Sequence, residues 1–182
     1  MIITVTGKPC SGKGAASKIF CEKYGFDYLC AGDIMRDVAK QKGYSSVLEF
    51  QQKAPDVVET DNYIDNKIAE IGKQRKNDNL LIDSRLAWHF AGNSFKVFID
   101  VDIDVASERL YNANRPHEKV ESIEQAKQKL LDRWKTENDR YQRIYSVSNT
   151  RLDQYDLVID SSKITPEQTA DKIYKAYKKV AK

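Results

Sequence analysis

The chain has 182 residues, a length suited to one compact domain with room for a small appendage. Thirty Lys and Arg against 27 Asp and Glu leave a net charge of +3, and the charged 31% of residues mixes both signs, so nothing in the bulk electrostatics points to nucleic acid or a membrane. No apolar run approaches the roughly 18 to 20 residues of a membrane span, and the first is too short for a signal-peptide core. Cys10, Cys21 and Cys30 form no C-x-x-C pair, so the expectation is a cytoplasmic protein with neither a disulfide framework nor a zinc knuckle.

Residues 2–5 open the chain with a β-rich run that lacks polar alternation, the mark of a strand covered on both faces. Similar runs recur at 28–30, 80–82, 96–99 and 157–159. Helical stripes fill the intervals. Ala16, Ile19/Phe20 and Lys23/Tyr24 mark one; Ile64, Ile68 and Ile71 mark another; Ile123, Ala126, Leu130, Trp134 and Tyr141 mark a long one. Ser122 with Gln125 spells a capping box, and Thr165-Pro166-Glu167-Gln168 combines a cap, a proline at the first helical position and a second box. On the last helix Lys172, Lys175, Lys178, Lys179 and Lys182 read as the solvated face and end. Strand and helix in strict alternation, with right-handed crossovers, predict an α/β fold: a five-stranded, mainly parallel sheet with helices on both faces, one domain over residues 1–182. Residues 43–75 exceed what a simple crossover needs and are expected to form a helical flap over one edge of the site. Ligands of such sheets bind at the carboxyl ends of the strands, which directs attention to Gly7 onward, Gly32-Asp33, Asp83-Ser84-Arg85 and Asp100.

Behind the first strand stands Gly7-Lys8-Pro9-Cys10-Ser11-Gly12-Lys13-Gly14, the G-x-x-x-x-G-K pattern in the strand-to-helix setting that a phosphate loop requires. Glycines let the backbone fold tightly with N–H groups turned inward, the following helix N-terminus adds its positive dipole, and Lys13 neutralises the outer phosphates. Gly7 to Gly14, with Ala15, are therefore candidates for binding ATP. Gly14, followed by Ala15, Ala16 and Ser17, stands where a Ser or Thr hydroxyl usually meets magnesium. Magnesium is accordingly expected to be held mostly by phosphates and waters, with Asp83 contributing through a water. Cys10 reads as a small residue tolerated within the loop.

Moving a phosphoryl group needs converging cations more than covalent chemistry. Asp33 and Arg36 follow the second strand at a helix start, Arg85 follows Asp83 at the third, and Arg109, Arg115, Arg133 and Arg140 lie in the later helical region. Arg133 and Arg140 are seven apart, hence on one helical face. Guanidinium forks suit phosphate oxygens better than an ammonium does. Asp83 either orients a magnesium-bound water or only pairs with Arg85, and the residues favour neither. Asp100, Asp102 and Asp104 do not make a calcium loop, because Val105 and Tyr111 occupy the positions of its glycine and glutamate. His89 and His117 have no ligand-spaced partners.

With these residues the chain resembles the nucleoside monophosphate kinases, and within that superfamily most closely the short cytidylate kinases typical of archaea and some bacteria. The likeness runs through residues 7–14, Ala31-Gly32-Asp33-Ile34-Met35-Arg36, residues 42–50, Ile64-Asp65, Ile82-Asp83-Ser84-Arg85-Leu86-Ala87, Ser107-Glu108-Arg109, Arg140-Tyr141 with Ile144-Tyr145, and Tyr155-Asp156-Leu157-Val158-Ile159. The phosphate loop and G-D-x-x-R identify the superfamily; the S-R-L-A segment and the two later runs are more particular to the cytidylate group. The resemblance implies a three-layer P-loop kinase fold with a monophosphate-binding flap near 43–75 and a short lid near 115–122, cysteine-free and so without zinc. It implies transfer of the ATP γ-phosphate to CMP or dCMP, with magnesium.

Carried over by position, Lys13 grips the ATP phosphates, and Arg36 and Arg85, with Asp33 and Asp83 beside them, hold the acceptor phosphate. Arg109 and Arg115 border the adenine and the lid, while Arg133 and Arg140 reach in on closure, so that Lys13, Arg115, Arg133 and Arg140 form the catalytic set. Asp61, Asp65 or a backbone carbonyl would accept from the exocyclic amine of cytosine. Asp83 and Ser84 stand where E-G-R-L-A is common. Other acceptors on the same frame stay open (AMP, dephospho-coenzyme A or a small metabolite), as does a nucleotide-binding protein without turnover, suggested by Gly14-Ala15. The expected partners are ATP and a nucleoside monophosphate, with no nucleic acid or membrane and a monomer favoured over an oligomer.

Overall fold

The five expected strands form as β1 (Ile2–Gly7), β2 (Asp27–Cys30), β3 (Leu80–Asp83), β4 (Ser94–Asp100) and β5 (Leu157–Asp160), and they pair in the order β2-β3-β1-β4-β5. Every pairing is parallel, where the sequence had suggested mainly parallel. The structure, a computed structural model, describes residues 1–45, 49, 50, 53, 57–76, 78–113 and 119–181, with the backbone alone for 57–61. The described helices are α1 (Lys13–Tyr24), α2 (Ala31–Gln41), α3 (Val57–Gln74), α4 (Ala87–Phe90), α5 (Ile103–Asn112), α6 (Ile123–Tyr145) and α7 (Pro166–Val180).

The central strands β1, β3 and β4 bury both faces as expected, whereas the edge strands β2 and β5 do not: Asp27 is exposed and Val158 is 40% exposed, because an edge strand is flanked by a neighbour on one side only. Alternate residues Ile3 and Val5, with Leu81, Val97, Ile99 and Ile159, meet Phe20 of α1 and Ile173 and Tyr177 of α7. Ile2, Leu80 and Ile82 meet Met35 and Ala39 of α2, Ile64 and Ile68 of α3, and Ala87 of α4. A fully buried side chain such as Phe20 contributes roughly 2–3 kcal/mol. A smaller cluster of Val101, Ala106, Leu110, Ala126 and Leu130 joins α5 to α6. Among the described residues no helix is long and apolar enough to cross a membrane.

Helix ends follow their local chemistry. At α7 the capping box closes in both directions: Gln168 N–H donates to Thr165 Oγ1 at 3.2 Å, and Thr165 N–H to Gln168 Oε1 at 2.9 Å. At α6 only half of the expected box forms. Ser122 Oγ accepts from Gln125 N–H at 3.1 Å, but Gln125 Oε1 takes the N–H of Glu121, at 2.6 Å, instead of that of Ser122. Along α6 the expected stripe buries Ala126, Leu130 and Tyr141, whereas Ile123 in the first turn is 39% exposed and outside it. The aspartates near residue 100 have separate tasks: Asp102 caps α5, accepting from Asp104 and Val105, and Asp100 pairs with Lys8 at 2.6 Å.

Register brings the functional edge together. Cys30 lies beside Asp83, Asp83 beside Val5, Gly7 beside Ile99, and Asp100 beside Asp160. The chain crosses from one side of β1 to the other after β3, which opens a crevice at the carboxyl end of β1. Gly7 is required there, since a Cβ would collide with the Ile99 carbonyl. Of the expected flap, α3 occupies the second half, and 46–48, 51, 52 and 54–56 fall outside the described residues. So do 114–118 of the expected lid, with Arg115 and His117.

Candidate active site

The loop between β1 and α1 turns through two left-handed residues, Cys10 at φ 60° and Gly12 at φ 79°. Gly12 adopts this conformation at no steric cost, whereas Cys10, read from the sequence merely as a tolerated small residue, is held there by its surroundings. Two residues clasp the loop from outside. Arg109 on α5 donates to the Cys10 carbonyl at 3.2 Å and to the Ser161 carbonyl at 2.7 Å. The Ser161 hydroxyl, just past β5, lies 2.9 Å from the Ser11 carbonyl and 2.8 Å from that of Asp100. The carbonyls of two loop residues, Cys10 and Ser11, are thereby tied back; with the N–H groups of Lys8 and Ser11 donating to the Ile99 and Lys8 carbonyls, the remaining N–H groups of the loop are left for an anion.

Lys13, at the start of α1, makes an ion pair with Asp83 at the end of β3. Tyr28 donates to Asp83 Oδ2 at 3.1 Å. Asp83 is 3% exposed, so its charge depends on these partners. Burial, and then the charge of Arg85, pulls the Lys13 ammonium down from its ordinary value to about 7; Cys30 and Glu137 act in the opposite sense, and Arg133 lowers it a little further. Of the two sequence readings of Asp83, the simple pair with Arg85 is therefore not the one that forms.

Arg85 is instead anchored to β1 and α6. Its carbonyl accepts from Thr6 Oγ1 at 3.1 Å, its Nη1 donates to the Gly7 carbonyl, and its Nε lies 3.2 Å from Glu137 Oε2. Arg133 donates from Nε to Glu137 Oε1 at 3.0 Å. Arg140 lies over the Tyr141 ring and contributes to the field at Glu137. Burial pushes the Glu137 carboxyl up, but Arg85, Arg133 and Arg140 outweigh it and hold the group below the usual carboxylate range.

Arg36 pairs with Asp33 one turn back on α2; both are more than half exposed, and Cys30 and Tyr28 act on its charge. Asp65 on α3 accepts from the Tyr145 hydroxyl at 2.5 Å, and Asn62 Oδ1 lies 3.2 Å from the same hydroxyl. The Tyr145 ring meets Phe90 of α4 edge-on at 5.1 Å. The structure thus gathers Lys13, Asp83, Arg85 and Arg133 at one end of the sheet, brings Arg109 to the back of the loop, and leaves Arg36 at the rim and Asp65 in the joint between α3 and α6. Glu137, Tyr28 and Ser161 escaped the sequence reading. Only Glu137 carried a signal, its i,i+4 spacing from Arg133.

The site also fits a magnesium ion that travels with ATP. A Cβ on Gly14 would make an ordinary 3.6 Å contact with Asp83 Oδ2, so the glycine keeps the loop free of a side chain beside a carboxylate oxygen, the kind of ligand that magnesium takes together with phosphates and waters. Among the described residues no group of three or more His, Cys, Asp or Glu forms a protein-only metal cage.

The AAA domain family pattern matches residues 6–127. Cytidylate kinases of Methanococcus vannielii and Methanocaldococcus jannaschii are 37% and 35% identical over 168 and 170 residues, covering 90% of this chain and 91% and 89% of theirs. An S-adenosylmethionine-dependent nucleotide dehydratase of Lacinutrix mariniflava is 35% identical over 179 residues; the match takes in 97% of this chain but only 36% of that protein's length. Solved shikimate kinases from Bacteroides thetaiotaomicron and Aquifex aeolicus share the fold, with TM-scores of 0.66 and 0.61 at 16% and 17% identity, over 98% and 100% of this chain and 98% of each of theirs. By its phosphate loop, its parallel sheet and this relatedness, the chain belongs to the P-loop nucleoside monophosphate kinases, among the archaeal-type cytidylate kinases.

Proposed function

We propose that the protein transfers the γ-phosphate of ATP to CMP or dCMP. The observation that carries the reading is the gathering of Lys13, Arg85 and Arg133 around Asp83 and Glu137, opposite a phosphate loop whose carbonyls are tied back by Arg109 and Ser161. In this reading the loop N–H groups and Lys13 hold the ATP phosphates, while Arg85 and Arg36 hold the acceptor phosphate. An oxygen of that phosphate forms a bond to the γ-phosphorus as the bond to the bridging oxygen of ADP breaks. Arg133 and Arg140, with Arg115 from the lid, meet the charge spread over the transferring group. Magnesium, when bound, neutralises charge on the phosphate oxygens, and Asp83 would hold it through a water. The flap at 43–75 and the lid at 115–122 exclude water on closure. Asp65 stands as the acceptor for the cytosine amine. The reading carries with it a monomeric cytoplasmic enzyme with no nucleic-acid or membrane partner.

Incubation with magnesium-ATP and a panel of CMP, dCMP, UMP, AMP, dephospho-coenzyme A and shikimate tests it. Transfer to CMP or dCMP is the expected result. Transfer to another acceptor alone replaces the substrate assignment, and ATP binding without ADP production replaces the enzyme by a nucleotide-binding protein. The Lacinutrix mariniflava relative favours one extension: a kinase of this kind would supply the phosphorylated nucleotide that a nucleotide dehydratase consumes. Adding such a dehydratase to the kinase reaction, with S-adenosylmethionine and a reductant, checks whether the product is taken up.

A further inference from the structure

An acid stands among the cations that would receive phosphate. Glu137 is only 18% exposed, and a carboxylate in such a place repels a phosphate unless it serves the groups that attract one. Its two oxygens are divided between arginines from different elements. Oε1 takes Arg133 Nε from the preceding turn of α6, and Oε2 faces Arg85 Nε from the loop after β3. Arg85 in turn donates to the carbonyl of Gly7, the first residue of the phosphate loop. The chain Arg133–Glu137–Arg85–Gly7 therefore links the helix that follows the lid segment to the loop. Without the carboxylate, the two guanidiniums would repel each other and Lys13 inside a partly desolvated crevice. With it, the Nε contact fixes the plane in which each guanidinium lies.

We propose that Glu137 is a positioning residue for phosphoryl transfer: it is the counter-ion that holds Arg85 and Arg133 together, and ties α6 to the phosphate loop, before any phosphate arrives. The proposal rests on the phosphotransferase reading above.

The test uses the full chain with Glu137→Gln and Glu137→Asp, read by initial rates with magnesium-ATP and CMP varied in turn and by thermal unfolding. The glutamine variant is expected to lose about 10- to 100-fold in kcat, with a smaller change in either KM. The aspartate variant keeps the charge at shorter reach, so it recovers part of the rate, with kcat about 3- to 10-fold below the wild type. A glutamine variant with wild-type kcat overturns the proposal, as does a loss of rate no larger than its loss of folded protein. If the glutamine variant does not fold, the aspartate variant decides alone, and wild-type kcat in it is the overturning result. Should the wild type phosphorylate no acceptor, the phosphotransferase reading fails and takes the proposal with it; an active wild type beside an unaffected glutamine variant overturns the proposal alone.

Discussion

Lys13 lies in ion-pair contact with Asp83, which Tyr28 holds from its other oxygen, so the cation of the phosphate loop is already clamped to the end of the neighbouring strand before any nucleotide binds. An ATP phosphate entering the loop competes with, or is added to, this internal pair. That makes Lys13 both a binding group and a structural one, and it separates its expected behaviour from that of Arg36, which is paired only at the rim.

Lys13→Ala should lower turnover by several orders of magnitude, because it removes the loop cation and leaves the carboxylate of Asp83 buried without one. Arg36→Ala should mainly raise KM for the acceptor. Steady-state kinetics on both variants, with ATP and CMP varied in turn, check the assignment; small and equal effects contradict it.

Nucleotide binding should take up a proton. Burial and Arg85 bring Lys13 down to about 7 in the free protein, and an arriving phosphate favours its charged form, so the complex binds more protons than the free protein above that pH. Affinity for ATP therefore levels off below pH 7 and weakens as pH rises past it. Calorimetry in buffers of different ionisation enthalpy near pH 8 measures the uptake, and Lys13→Met should abolish it.

Gly14→Ser should be tolerated by the fold, because its Cβ would make only an ordinary 3.6 Å contact with Asp83 Oδ2. The added hydroxyl restores the group that usually meets magnesium after the loop lysine. We expect the magnesium concentration for half-maximal rate to fall several-fold, with thermal stability little changed. A magnesium titration at fixed ATP checks this.

Asn149→Ala should destabilise the protein by about 2–4 kcal/mol. Asn149 is fully buried, and its Oδ1 accepts from Trp88 Nε1 at 2.7 Å and from the Tyr155 hydroxyl at 3.2 Å, two donors that would be left without this acceptor. Its own N–H donates to Asn138 Oδ1 at 2.9 Å, which ties the turn after α6 back to that helix. Urea unfolding at neutral pH gives the difference directly.

Much of the architecture was legible in consecutive residues. The strands at 2–5, 28–30, 80–82, 96–99 and 157–159 each appear, lengthened by one to three residues; for the central three the reason is that a doubly covered strand must be apolar along its length, while the edge strands β2 and β5 show the β-rich run without the double coverage. The phosphate loop and the Thr165 box were legible for the same reason, since their chemistry lies within a few neighbouring positions. The partial box at Ser122 shows the limit of that reasoning: the spacing allowed two backbone donors for Gln125, and the approach of the chain at Glu121 chose between them.

By itself, then, the sequence determined the alternation of strands and helices, the turn that can wrap an anion, and a supply of arginines, all properties of short stretches governed by backbone sterics and hydrophobic period. Tertiary structure alone decided which partners meet across elements: Asp83 with Lys13, Glu137 with Arg85, and Ser161 with Arg109 on the back of the loop. These pairs join residues far apart in the chain, and they form only because the strand order places β3 and β4 on either side of β1 and lays α6 across the end of the sheet. A charge has no preferred partner until packing brings one within a few ångströms and removes the water between them.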